Sequence, residues 1–170
     1  MRKILTVIFT VAFLSASAQA PAGQTVDIES DISGIVYGNS TTTKLGFSKG
    51  NSNNTDPNGN IVNTNGHRVS GSIYGGKFRT SNNDDNVNGN TVNISGESGE
   101  FGDWIYGGYA MLGEACNNTL NISGGKFTYW VVGSYSLDGK AAGNTVNIIG
   151  GSFDSIIYGG YSISGETATG

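Results

Sequence analysis

Two sets of side chains in this sequence have types and spacings that bear on chemistry: scattered carboxylates, and aromatics that recur at fixed intervals. Cleaving a polysaccharide on stacked β-coils takes two or three carboxylates converging from adjacent coils beside a basic residue. Asp103 aligns with Tyr129 and Ser155, Asp154 with Thr128 and Gly102, and Glu97 with Gly125 and Gly151. No two of these acids share a column in neighbouring repeats. His67 is the one imidazole, beside Arg68, so a two-histidine metal site cannot be completed, and no Ser-His-Asp triad is convincingly made out around it. It reads as solvated. The oxygen-rich run from Asn82 to Asn86 lacks the Gly and Glu positions of a calcium loop and reads as a solvated insertion. Cys116 aligns with Ala142 and reads as a small side chain at a repeat junction. The expectation is no catalytic residue, no cofactor and no metal.

The aromatics are more regular. Trp104 and Trp130 fall in one column, continued by Ile156, and Tyr109, Tyr135 and Tyr161 fall in another. Exposed, such a ladder of rings with polar tips suits contacts to glycans or proteins. The alternative is that these rings cap the apolar core at its corners. Two asparagine columns accompany them: Asn60, Asn90, Asn118 and Asn144 at the strand starts, and Asn93, Asn121 and Asn147 further on. Stacked amides can hydrogen-bond along a ladder. The expected role is to brace turns, with a polar ligand stripe as the other possibility.

The elements that position these residues are internal repeats. Residues 89–96, 117–124 and 143–150 align almost without gaps on the pattern Asn-Thr-(Val or Leu)-Asn-Ile. Each is followed by a second element, Phe101 to Tyr109, Phe127 to Tyr135 and Phe153 to Tyr161. Two more divergent copies precede them, at 23–38 and 59–76. The column Tyr37, Tyr74, Tyr106, Val132 and Tyr158 is spaced 37, 32, 26 and 26 residues, with the early excess in polar insertions at 39–58 and 77–88. Five residues before that column stand Ile32, Val69, Phe101, Phe127 and Phe153, all apolar.

Within a repeat, Val92 and Ile94 point one way and Thr91, Asn93 and Ser95 the other, the period-2 pattern of a half-buried strand. The second element is rich in β-branched and aromatic residues and reads as a second strand ending in a Gly-Gly corner. With 28 Gly and 19 Asn in 170 residues and only 13% charged residues, the composition also points to short strands and turns. One such repeat cannot bury its apolar face alone; stacked copies bury Val on Val and Phe on Phe. The expected fold is all-β: a repeat solenoid, a short parallel β-helix-like stack of about five coils. A β-roll or prism of stacked hairpins is the rival.

The N-terminus reads as a helical signal peptide over residues 1–18. Met1-Arg2-Lys3 is a basic start, Ile4 to Leu14 an apolar stretch, and small residues follow at Ala16, Ala18 and Ala20. Eleven apolar residues fall short of the roughly 20 that span a bilayer. Cleavage fits after Ala18 or Ala20; the second cut leaves Pro21 first, which favours Ala18. Residues 19–170 then form the solenoid region, with no transmembrane segment of its own. Without Arg2 and Lys3 the chain carries 7 basic and 13 acidic residues, a net charge of −6. That excludes the electrostatic footprint of a nucleic-acid binder.

The run from Asn144 to Ser162, and its copy from Asn118 to Ser136, closely resembles the glycine-rich repeats in passenger regions of bacterial autotransporter (type V secreted) proteins. The resemblance covers residues 23 to 170 and is strongest from Gly89 onward. It implies a β-helical passenger displayed at the cell surface, on the outer membrane, or released as a secreted segment, with a structural or adhesive role. Host or cell-surface glycans or proteins are the implied partners. The family also has a C-terminal barrel, and no alternating barrel strands follow here. Thr169-Gly170 instead matches Ala142-Gly143, the opening of another repeat, so the expectation is a fragment with an open strand edge through which copies self-associate. A carbohydrate-active β-helical enzyme and a non-functional truncated fragment are the alternatives.

Export gives a direct test. Mass analysis of the chain from a bacterial host is expected to show Gln19 as the first residue, or a start two residues later. Retained Met1 in the secreted fraction contradicts a cleaved signal peptide.

Overall fold

Every strand pairing in the computed structural model is parallel. The structure describes residues 23–39, 57–78, 86–96, 99–164 and 168. The expected signal peptide, Glu97 and residues 82–85 of the oxygen-rich run lie outside them. Among the described residues no helix is long and apolar enough to cross a membrane, which says nothing of a β-barrel.

The alternating runs form the first sheet, in the order Thr25–Asp27, Ile61–Asn63, Thr91–Ile94, Thr119–Ile122 and Thr145–Ile148. The β-branched and aromatic runs form the second: Val36–Tyr37, Ile73–Lys77, Ile105–Ala110, Val131–Ser136 and Ile157–Tyr158, with Tyr161–Ser162 also pairing on Val131–Ser136. The phenylalanines form a third: Glu100–Phe101, Lys126–Phe127 and Ser152–Phe153. The chain is therefore a parallel β-solenoid. The five expected coils are five rungs of the first sheet, so about four turns separate first from last. The sequence register holds throughout, with Val62, Val92, Leu120 and Val146 in one column.

The core is the column stack itself. Val92, Leu120, Ile94, Ile122, Ile105 and Val131 are buried in one cluster with Phe101 and Phe127. The Phe101 and Phe127 rings stack with centroids 5.1 Å apart, and Phe127 and Phe153 with 4.8 Å, close to the strand spacing of the sheets. Ile32 and Val69 join the same core and pair through an isolated parallel bridge.

Two expectations need correction. Each complete coil has three strands rather than two, because the backbone around each phenylalanine pairs with the next coil. Nor is the Gly-Gly pair a corner: Gly75-Gly76 and Gly107-Gly108 lie inside strands. The ends of the polar insertions also belong to the coils. Asn39 is buried and exchanges two hydrogen bonds with the Lys77 backbone, and Lys77 closes a strand.

The asparagine column at the strand starts explains the glycines. Asn60, Asn90, Asn118 and Asn144 point inward and are buried. The backbone N–H of each of Gln24, Asn60, Asn90 and Asn118 donates to the Oδ1 of the asparagine one coil on, always at 2.9 Å. The side-chain Nδ2 of Asn60 and Asn90 donates to the same acceptor, at 3.0 and 2.8 Å. The bracing role expected for this column is what the structure shows, moved from a turn surface to the interior.

Central Phe127 is 1% exposed and sandwiched between two rings. Phe127→Ala is expected to cost about 3–5 kcal/mol, as core phenylalanine truncations do. Ile32→Ala, in the first coil, is expected to cost clearly less. Equal losses in a chemical denaturation series would contradict energetically coupled coils.

Candidate functional site

The outer face of the second sheet carries the aromatic residues singled out by the sequence. Ile105 enters the core and Tyr106, the next residue, faces out into a separate aromatic cluster that Tyr109 joins beyond the Gly107-Gly108 pair. Register then places equivalent rings one above another. Tyr37, Tyr74 and Tyr106 stack at centroid distances of 5.3 and 5.2 Å. Val132 interrupts this column before Tyr158. Tyr109, Tyr135 and Tyr161 stack alongside at 4.9 and 5.7 Å. The two columns interlock edge to face, as between Tyr106 and Tyr109 at 5.4 Å.

The tyrosine rings stack on one another along the coils. Stacking face on face consumes the tyrosine faces and turns ring edges outward. The indoles are set differently. Trp104 stands at 81° to Tyr106, and Trp130 at 65° to both Tyr158 and Tyr161. Trp104 is 43% exposed, while Trp130, Tyr109, Tyr135 and Tyr161 are half-buried.

Lys77 belongs to this face and was missed in the sequence, where it was assigned to an insertion. It stands in the tyrosine column, paired with Tyr109. Its ammonium lies 3.8 Å from the Tyr74 ring centroid, 5.0 Å from that of Tyr109 and 5.3 Å from that of Tyr37, a cation–π arrangement. The signal was present: Gly75-Gly76-Lys77 aligns with Gly107-Gly108-Tyr109.

Burial sets the electrostatics of the cluster. Desolvation pushes the Tyr74 hydroxyl up to about 12, aided by neighbouring tyrosines and Asp103 and partly offset by a hydrogen bond with Ser72. Tyr106 is raised further, again chiefly by burial, and Tyr135 is raised for the same reason.

The two described candidate acids have separate partners. Asp103 accepts the Trp104 backbone N–H at 2.8 Å, and Asp154 lies 3.8 Å from Lys126 on an exposed surface. His67 sits 3.6 Å from Asp31 rather than alone in solvent. Among the described residues no group of three His, Cys, Asp or Glu side chains is placed to hold a metal ion. Cys116 is half-buried at the repeat junction, and its backbone N–H donates to Asn88 Oδ1. Comparison with known protein families, curated proteins and solved structures finds no match to this chain.

The raised tyrosines give a pH prediction. Below pH about 10, unfolded and folded tyrosines alike are neutral. Above it the unfolded chain loses protons first, while Tyr74 holds its own to about 12. Stability is therefore expected to fall as pH rises through that window. Denaturation midpoints between pH 9 and 12 test this, and Tyr106→Phe is expected to flatten the fall. An unchanged slope in that variant would place the alkaline loss elsewhere.

Proposed function

We propose that this chain is a non-catalytic structural and adhesive segment, exported by residues 1–18 to the cell surface or outer membrane or released as a secreted protein. This is the role implied by the resemblance to autotransporter passenger repeats. The contact surface in this reading is the outer face of the second sheet, and its partners are host or cell-surface glycans or proteins. One observation carries the reading: Trp104 holds a large, partly exposed indole on a frame of stacked rings.

The physical case rests on preorganisation. A ring held by packing loses little conformational entropy on binding, which makes tryptophan and tyrosine effective anchors. Trp104 and Trp130 offer apolar surface one coil apart, and Tyr109, Tyr135 and Tyr161 run beside them. Such a row favours an extended ligand lying along the stack over a compact one in a pocket.

Screening the mature chain against a glycan array and immobilised extracellular-matrix proteins tests the proposal. Trp104→Ala is expected to weaken any ligand found by about tenfold or more, and Trp130→Ala to add to the loss. Denaturation midpoints of both variants are expected to change little, since neither indole is in the central core. Undiminished binding by the double variant, or no binding by the unaltered chain, would overturn the reading.

A further inference from the structure

The sequence holds three Asn-Gly pairs, at 58–59, 65–66 and 88–89, and the fold treats them unequally. Two are held at coil corners by the same pattern of hydrogen bonds. Asn58 Oδ1 accepts the Asn88 backbone N–H at 2.6 Å, and Asn88 Oδ1 accepts that of Cys116 at 2.8 Å. The glycine that follows is held too. The Gly59 N–H donates to the Asn88 carbonyl at 3.0 Å, and the Gly89 N–H to the Cys116 carbonyl at 3.1 Å. Side-chain carbonyl and following amide are thus both tied to the next coil.

Asn65-Gly66 has neither tie. The pair forms the tip of a turn in which the His67 N–H donates to the Thr64 carbonyl at 2.9 Å. Asn65 has φ 50° and Gly66 φ 86°, and both residues are exposed. The Asn65 side chain and the Gly66 N–H find no hydrogen-bond partner among the described residues. A Cβ on Gly66 would meet nothing within 4 Å, and the next coil faces it with Gly96, which has no side chain to cover the turn.

We propose that Asn65 is a self-modification site at which the folded chain deamidates, ahead of Asn58 and Asn88. The reaction needs no partner but water and base. Base takes the Gly66 amide proton, and that nitrogen bonds to Asn65 Cγ while the side-chain nitrogen departs as ammonia. A five-membered cyclic imide results. Water then adds to one of its two carbonyls and breaks the C–N bond there, leaving aspartate or isoaspartate. Glycine favours ring closure because it sets no Cβ against the approaching groups and lets the backbone rotate. At Asn58 and Asn88 the same attack first requires breaking the coil-to-coil bonds, so only a locally opened state reacts.

The neighbouring coils also confine the product. Thr64 is buried, its N–H donating to the Asn93 carbonyl at 3.0 Å and its hydroxyl accepting the Ser95 N–H at 3.1 Å. On the other flank the Arg68 N–H donates to Asp31 Oδ1 at 2.9 Å. A new carboxylate, or the extra backbone methylene of isoaspartate, therefore stays in the tip of the turn. The coils persist while the chain gains one negative charge.

Ageing the purified chain in warm, mildly alkaline buffer, with each site read by tandem mass spectrometry, tests this. Asn65 is expected to convert at least about tenfold faster than Asn58 or Asn88, giving both aspartate and isoaspartate. In urea, where no coil holds the pairs, the three are expected to convert at similar rates. A rate at Asn65 in the folded chain no greater than at the other two would overturn the proposal. So would the same ranking surviving in urea, since sequence rather than fold would then set it.

Discussion

A line of backbone N–H groups at the coil corners would be buried without partners if the inner asparagines were absent. Burying such a group unpaired costs about 1–3 kcal/mol, and the stack repeats it at each turn. The Oδ1 of the next coil's asparagine meets each one at 2.9 Å. Much of the remaining sequence follows from fitting a polar side chain inside the coil. The residue before it takes a positive φ: 66° at Gly59, 68° at Gly89, 55° at Asn117 and 64° at Gly143. Glycine or asparagine serves there at little steric cost. Opposite it the second strand must come close. A Cβ on Gly107 would lie 2.3 Å from the Gly133 carbonyl oxygen and 3.2 Å from the Asn118 Cβ. Where the second glycine of the pair becomes Ser134, its hydroxyl joins the ladder between Asn118 and Asn144.

That constraint also shapes the candidate contact face. With Gly-Gly fixed in mid-strand, outward-pointing side chains are available only on either side of it, at Tyr106 and Tyr109 and their equivalents. The coil spacing then matches three kinds of ladder at once: phenylalanines in the core, amides inside and outside, and tyrosines on the face.

The repeats made the architecture legible. Alternation gave the first sheet, alignment gave the register, and the column from Ile32 to Phe153 gave the core. The burial of the inner asparagines was written in the alternation, since Asn90 shares its parity with Val92 and Ile94, but their polarity argued for a turn and that parity was not followed past the strand start. The Gly-Gly pair misled for a related reason. Glycine marks turns through its conformational freedom, but here it is used for its missing side chain. Stacking of the tyrosine faces and the Lys77 ammonium over Tyr74 depend on side-chain rotation, which spacing does not determine.

The first coil shows how far divergence from the repeat can itself be chemistry. Its departures fall on both ladder columns, where Gln24 and Asp27 replace asparagine. At that end the inner column asks for a backbone donor only, and the Gln24 N–H supplies it whatever its side chain. The outer column asks for an acceptor only, and a carboxylate accepts without needing a donor beyond it. Asp27 thereby orients Asn63, and each amide in turn orients the next, down to Asn147. The inner amides are oriented independently, by the backbone N–H groups that demand an oxygen. The two ladders are thus locked in opposite senses, and their side-chain dipoles oppose rather than add along the stack. A ladder with asparagine at every rung could flip as a unit; one ended by an aspartate cannot, so the substitution that makes the first copy look degenerate is what gives the outer ladder a single direction.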